Sequence, residues 1–517
     1  MSPCLPELLT SRCRSTPSAP AVVDGETAIS WAELGERVWT TAAALAGQGI
    51  DSGDRVAVAM LKSVDQVTAL LAVLCANAVL VSVHPALTAA QMRHICDDAG
   101  VRLLIVDRMR RAMLRSAPPA PMVLGVEAAA GSGEPSLVEQ RGAQEVAPDR
   151  FSLGPNDNAA LIYTSLARGL PRGVVLSHQT LSGGAQAQVE LLGLRAEHRL
   201  GGLLCLNFAF GLNQLWQALY SGAPLFLHTF VFPLDLYEFI AEHRLSHLFL
   251  MPVTAARMLD RKLGGPPAGA DLSSVQAIAL AGGRLGGAML DGLRELFPAA
   301  EISSFYGFTE AFPSSWLSPA ALAADPEALG SALPGVELLV VDADGALCPA
   351  GETGELVHRG AGVALGYWQA AEESACCFRP LADRFQQPTA FSGDLASVAG
   401  DGTVSLHGRR DERIKSHGRR VSPEEIEAVA LACPQVEAAL VWGVEHAAFG
   451  QVIALAFDGP DGGAAEPALR EHLRAQLPSF LQPAQLHHGP GLAAELPHGD
   501  AARRRWREQT RGTSDGS

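Results

Sequence analysis

Ordered cysteine patterns are missing from this chain of 517 residues. Its nine cysteines are odd in number and scattered, no C-x-x-C pair occurs, and only Cys376 and Cys377 are adjacent. That excludes a zinc ribbon or disulfide framework from the reading and favours a reducing compartment. A secretory leader is missing too: residues 1–20 carry Arg12 and Arg14 but no continuous apolar core, so the expected location is the cytoplasm. No uninterrupted membrane span is found. Residues 67–83 are nearly all apolar but short and broken by Asn77; residues 201–234 lack Lys, Arg, Asp and Glu but are broken by Asn207, Asn213, Gln214 and Gly222-Ala223-Pro224. Both read as buried helix-then-strand units. Positive charge is in deficit, 39 Lys and Arg against 55 Asp and Glu, and the net charge of −16 argues against a nucleic-acid partner. There is no internal repeat.

What is present is apolar and alternating. With 48% hydrophobic and 18% charged residues, a chain this long buries more than one core, so two or more lobes are expected. Trp31 opens a helical pattern through Leu45, Gly53-Asp54 turns, and Val56 to Met60 reads as a strand. The alternation returns at 69–74 into 79–83 and at 89–99 into 101–106, with later strands at 160–163, 277–280 and 336–341. This predicts an α/β fold with largely parallel sheets. Residues 115–150, rich in Ala, Pro, Gly and Glu, read as a surface connection. After Gly408 the pattern becomes a short α+β module with a helix from Pro423 and a strand at 438–442. The expected organisation is a large multi-subdomain α/β region (1–408), a mobile small α+β domain (409–507) and a disordered tail (508–517).

Three motifs carry chemistry: Gly408-Arg409-Arg410-Asp411-Glu412-Arg413-Ile414-Lys415-Ser416-His417-Gly418 followed by Val421 to Glu427, Tyr306-Gly307-Phe308-Thr309-Glu310, and Ser392-Gly393-Asp394. Together they resemble the adenylate-forming superfamily of acyl-CoA synthetases, carrier-protein-loading ligases and luciferases. In such enzymes a carboxylate attacks the α-phosphate of ATP, giving an acyl-adenylate and pyrophosphate, and a thiol then displaces AMP. The resemblance implies that Asp394 accepts hydrogen bonds from the ribose hydroxyls with Arg409 beside the same sugar. It implies that Tyr306 and Gly307 border adenine, that Thr309 meets phosphate, and that Glu310 holds Mg²⁺. Gly282 and Gly283, after Ala281, remove side chains where an acid and later a pantetheine arm pass close to backbone. Asp411 falls on the hinge between domains, and Lys415 and Gly418 on the face that serves thioester formation. Taken alone, Ser392-Gly393-Asp394 reads as an ordinary turn.

Departures from the family pattern cluster at phosphate handling. Tyr163-Thr164-Ser165-Leu166-Ala167-Arg168-Gly169-Leu170-Pro171-Arg172-Gly173 aligns without a gap with the family's Thr-Ser-Gly-Thr-Thr-Gly-x-Pro-Lys-Gly loop, which makes Thr164, Ser165, Arg168, Gly169 and Arg172 nucleotide-binding candidates. Leu166 replaces a glycine, Ala167 and Arg168 replace a hydroxyl pair, and Arg172 replaces the lysine. The stretch Cys205 to Leu215 resembles acyl-CoA ligases associated with exosortase A gene clusters, and there an aspartate falls on Ala209. Phe208, Ala209, Phe210 and Gly211 are therefore acid-pocket candidates, although Phe208 and Phe210 read equally well as core. The missing acid argues against an amino-acid substrate. Finally, Gly499-Asp500 stands where the family has Gly-Lys, so the catalytic position holds a carboxylate instead of the ammonium that bridges acid and α-phosphate. Arg503 is the nearest cation that could stand in, and 503–507 otherwise reads as a solvated helix face.

Two functions follow. One is an AMP-forming ligase joining a small non-amino carboxylic acid to CoA or the phosphopantetheine of an acyl carrier protein, with ATP and Mg²⁺ and with adenylation impaired. The other is a non-catalytic or half-reaction relative that binds nucleotide, acyl-adenylate or a partner protein.

Overall fold

Residues 3–114, 122–125, 154–164, 171–283, 285–381, 387–410, 413–416, 419–446, 449–460, 462–490, 492, 503 and 505–508 are described by a computed structural model. The first helix-turn-strand unit forms as its sequence dictates. The helix Trp31–Gly47 starts at a capping box, the Glu33 N–H donating to Ser30 Oγ and the Ser30 N–H to the Glu33 carboxylate, and it buries Trp31, Leu34, Val38 and Leu45. The helix Val64–Cys75, capped by Ser63, is buried nearly all round, which is why it looked like a membrane span in sequence. Among the described residues no helix is long and apolar enough to cross a membrane.

Three sheets organise the described chain. A seven-stranded sheet has Arg55–Ala59, Val79–Ser82, Leu103–Val106 and Asn158–Thr164 as parallel neighbours, their continuous apolar runs buried on both faces. Its far edge is Met122–Gly125, paired parallel to Leu103–Val106. That strand lies within 115–150, expected to be surface connection only; an apolar run of Met122-Val123-Leu124 is too short to show a period.

The larger sheet has thirteen strands among the described residues and is parallel from Leu200–Gly202 through His247–Leu250 and Ala277–Ala281 to Glu301–Phe308. Beyond Phe308 it becomes antiparallel, because only Thr309 and Glu310 link it to Ala311–Leu317 and so short a link allows only a hairpin. The expectation of largely parallel sheets therefore holds for the first part of the chain and fails for 311–409.

The third sheet belongs to the small region. Ala438–His446 and Gly450–Asp458 pair along their whole length, with Ile414–Ser416, Arg419–Val421 and Gln485–His488 beside them. Helices Pro423–Leu431 and Glu466–Gln476 close a separate core around Ile426, Phe457 and Leu469. Arg409 still pairs with Asp394 in the large sheet, and the third sheet has its first strand at Ile414–Ser416.

Two constraints fix the ground beneath the site. Gly211, in the first turn of the helix Ala209–Ser221, packs so closely that a Cβ there would lie 1.7 Å from the Cys205 carbonyl oxygen. His358 is fully buried, its Nε2 donating to the Ala361 carbonyl at 2.5 Å and its Nδ1 2.8 Å from Ser314 Oγ. Burial pushes its pKa down to about 4, partly offset by the Ala361 carbonyl.

Gly211→Ala is expected to lower the thermal midpoint markedly or to prevent soluble expression, whereas Gly183→Ala, with open space around its Cβ, is expected to do neither. Because the folded His358 binds its proton less readily than the unfolded chain does, its contribution is complete above about pH 6.5 and is lost as pH falls towards 4. The thermal midpoint should decline over that window, and His358→Gln should flatten the decline; an unchanged pH profile in the variant would refute the assignment.

Candidate active site

Two cavities meet where the sheets and the small region converge. The outer one, about 770 Å³, lies between the end of the large sheet and the small region; the inner one, about 190 Å³, reaches into the large region. Gly282, Gly307 and Lys415 line both. Gly282 follows the strand Ala277–Ala281 at φ +94°, a left-handed conformation suited to glycine, and leaves bare backbone at the junction.

The outer cavity gathers residues from distant motifs. Asp394, in the strand Thr389–Val398, sits directly opposite Arg409 in the register and receives its guanidinium; the Tyr306 hydroxyl donates to its other oxygen. The Asp394 N–H donates to Ser392 Oγ at 3.0 Å, and Gly393 turns the chain at φ +72°. Asp394, Tyr306, Gly307 and Arg409 all line this cavity, so the expected ribose and adenine anchors are brought together. A buried carboxylate aligned by a phenol and a guanidinium at the rim of a roomy cleft suits a vicinal diol.

The hairpin turn after Phe308 supplies the residues expected at the phosphate end. Thr309 lines the inner cavity, and Glu310, 1% exposed, lies behind it and accepts a 2.7 Å hydrogen bond from the Tyr367 hydroxyl. Burial, reinforced by the Glu310 charge, raises the Tyr367 pKa, so the phenol stays a donor. Among the described residues no cluster of three or more His, Cys, Asp or Glu could hold a metal. Mg²⁺ ordinarily binds through one or two carboxylates with phosphates and water completing the shell; Glu310 is the carboxylate of this turn, and it lines neither cavity.

The inner cavity is lined by Thr164, Phe208, Ala209 and Phe210, with Phe210 edge-on to Phe312 at 5.8 Å. Asn207 positions this turn: its Nδ2 donates to the Val83 carbonyl at 2.8 Å and its Oδ1 accepts from Gln66 at 2.9 Å, tying it to the ends of the seven-stranded sheet. Gly211 lines neither cavity; it permits the helix to approach Cys205. Gly283 borders the outer cavity, where a Cβ would press on Pro252 at 3.1 Å.

From the small region, Lys415 places Nζ 5.9 Å from the Tyr306 ring centroid. Arg172 stands apart: it pairs with Asp98 at 2.9 Å and Glu373 at 3.7 Å and lines neither cavity. Arg503 is buried in the small region, donating to Glu427 at 2.9 and 3.0 Å and to the Val441 carbonyl at 3.2 Å. It is therefore neither a free replacement cation nor part of a solvated face. Burial raises the Glu427 pKa and Arg503 counters it. Ser165, Arg168, Gly169, Asp411, Gly418 and Asp500 lie outside the described residues.

Sequence reasoning missed Tyr367, Arg419, His84 and Phe480, the last three on the wall of the inner cavity. One signal was available for the first: tyrosine is scarce, five in the chain, and Tyr163, Tyr306 and Tyr367 each donate to a carboxylate, Asp98, Asp394 and Glu310 respectively.

The AMP-binding enzyme family matches residues 9–368. The chain is 29% identical to the 2-succinylbenzoate–CoA ligase of Geobacillus kaustophilus, covering 98% of each protein. It is 29% identical over 93% of its length to the probable non-canonical nonribosomal peptide synthetase CymA of Salinispora arenicola, but spans 6% of that protein. The amide bond synthetase McbA of Marinactinospora thermotolerans shares the fold, with a TM-score of 0.82 at 24% identity over 94% of this chain and 95% of that one. With its family match, its α/β architecture and its convergent nucleotide-site motifs, the chain belongs to the AMP-binding, adenylate-forming acid ligase family.

Proposed function

We propose that this protein is an AMP-forming acid–thiol ligase in which adenylation is slowed and the second half-reaction is better preserved. The observation that carries the reading is the meeting of Tyr306, Asp394 and Arg409 beside Lys415. Asp394 would hold the ribose, Arg409 would keep it aligned, and Tyr306 would border the base. Thr309 and Thr164 would donate to phosphate. Glu310 would hold Mg²⁺, which when bound offsets charge on the phosphate oxygens. The acid would enter the inner cavity, whose wall at Ala209 has no carboxylate to attract an ammonium, so a non-amino acid is favoured. A pantetheine thiol, of CoA or of a carrier protein, would then attack the acyl carbonyl. The likeness to a CoA ligase along its whole length supports a CoA acceptor.

Asp500 supports the impairment. A carboxylate for an ammonium shifts local charge by two units, and loss of one transition-state donor alone costs about 10²–10³ in rate. The altered loop at Leu166, Ala167 and Arg168 adds to it. Arg503 offers no relief, being tied to Glu427 and Glu424. A half-reaction or non-catalytic role is the second reading, favoured by Lys415 facing the site.

ATP–pyrophosphate exchange across a panel of carboxylic acids is expected to be weak for the native chain and to rise by about two orders of magnitude in Asp500→Lys. Robust exchange by the native chain would overturn the impairment. Asp394→Ala is expected to weaken AMP and ATP binding alike in calorimetry, whereas Tyr367→Phe should reduce only the gain in ATP affinity that Mg²⁺ brings. Equal losses with and without Mg²⁺ in Tyr367→Phe would remove Glu310 from the metal role.

A further inference from the structure

The small region sends a second cation into the inner cavity, and the reaction outlined above does not use it. Arg419 begins the strand Arg419–Val421, opposite Ser416. Its guanidinium lies over the Phe480 ring at 4.3 Å and the Phe208 ring at 5.6 Å and lines the cavity together with Thr309 and Ala209. Among the described residues no carboxylate pairs with it. Glu425 borders the same cavity, and among the described residues no ion pair joins it to Arg419. Arg110, which also lies near, is bound to Asp107 at 2.9 Å and to the Pro85 carbonyl at 3.1 Å.

His84 adds a second donor on the same wall. Its ring meets Phe480 edge-on at 5.3 Å, and its Nδ1 accepts the Ala86 N–H at 3.2 Å. Burial, with Arg419 and Arg110 nearby, drives its pKa down to about 2, so it is neutral and carries its proton on Nε2. A guanidinium set between aromatic faces recovers part of its lost hydration from the rings. A carboxylate would supply the rest, by paired N–H bonds in the plane that stacking leaves open.

We propose that Arg419, assisted by His84 Nε2–H, is a carboxylate-recognition site inside the ligand cavity, selecting a substrate that bears a carboxylate besides the one being activated. The inference rests on the acid-ligase reading above. That carboxylate has two possible sources: the far end of a dicarboxylic donor, or the acceptor. The wall at Ala209 carries no carboxylate, and Arg419 presents a positive group to the cavity that Glu425 also borders.

The test uses the full chain and two non-hydrolysable acyl-adenylate analogues, acylsulfamoyl adenosines with a hemiglutaryl or a pentanoyl tail, measured by calorimetry. The native chain is expected to prefer the hemiglutaryl tail by about tenfold or more, Arg419→Gln to lose the preference, and Arg419→Lys to keep part of it, with thermal midpoints confirming that each variant is folded. If the tails bind equally, the acceptor is the source: with the pentanoyl analogue bound, 3-mercaptopropionate should bind more tightly than propanethiol, and only when Arg419 is present. No carboxylate preference in either arm, or a preference unchanged in Arg419→Gln, overturns the proposal. Failure of both analogues and of AMP to bind would instead sink the acid-ligase reading, and this inference with it.

Discussion

A single buried carboxylate ties the wall of the outer cavity together. Asp394 receives a phenol from the last parallel strand of the large sheet and a guanidinium from the last strand before the small region. Leaving such a group unpaired would cost several kcal/mol, so its partners fix where those strands end relative to one another. The tyrosine, the aspartate and the arginine come from motifs far apart in sequence, and that interaction converts them into one surface. The Tyr367–Glu310 bond does the same between the hairpin turn and the short strand Gly366–Tyr367.

Much of this was legible in the sequence because it is local or periodic. The helix Ala89–Ala99 and the strand Val336–Val341 fall on the residues expected, and the strand Asn158–Thr164 exceeds its expected span by a residue or two at each end. The ordered motifs singled out Tyr306, Asp394, Arg409 and Thr309, which the fold brings to the walls of the two cavities. What escaped notice depends on three-dimensional neighbours. Met122–Gly125 is too short for a periodic signal. The sheet's switch to antiparallel pairing follows from a link of two residues, which composition does not show. Arg172 stood in a phosphate-loop frame, yet Asp98 and Glu373, from elsewhere in the chain, claim it. Arg419 follows directly on a motif that was read closely, and only the positions of Phe208 and Phe480 give it a meaning.

The small region also separates two roles that sequence places side by side. Its Lys415 and Arg419 line the cavities, while Arg503, three residues after Asp500 in sequence, is turned into its own core against Glu427. A cation drawn from that helix would have to break several charge-assisted bonds first. The helix that carries Arg503 therefore has no loose guanidinium at that position, whereas Lys415 and Arg419 line the cavities.

The inner cavity has walls drawn from two separately cored bodies, Thr164 and Phe210 on one side and Arg419 and Phe480 on the other. Any occupant that touches both is a crosslink between them. By linkage, the free energy it gains from the second wall is free energy that holds the bodies in this pose, and the pose in turn tightens the occupant by the same factor. Affinity and posture in this protein are therefore one quantity measured in two ways.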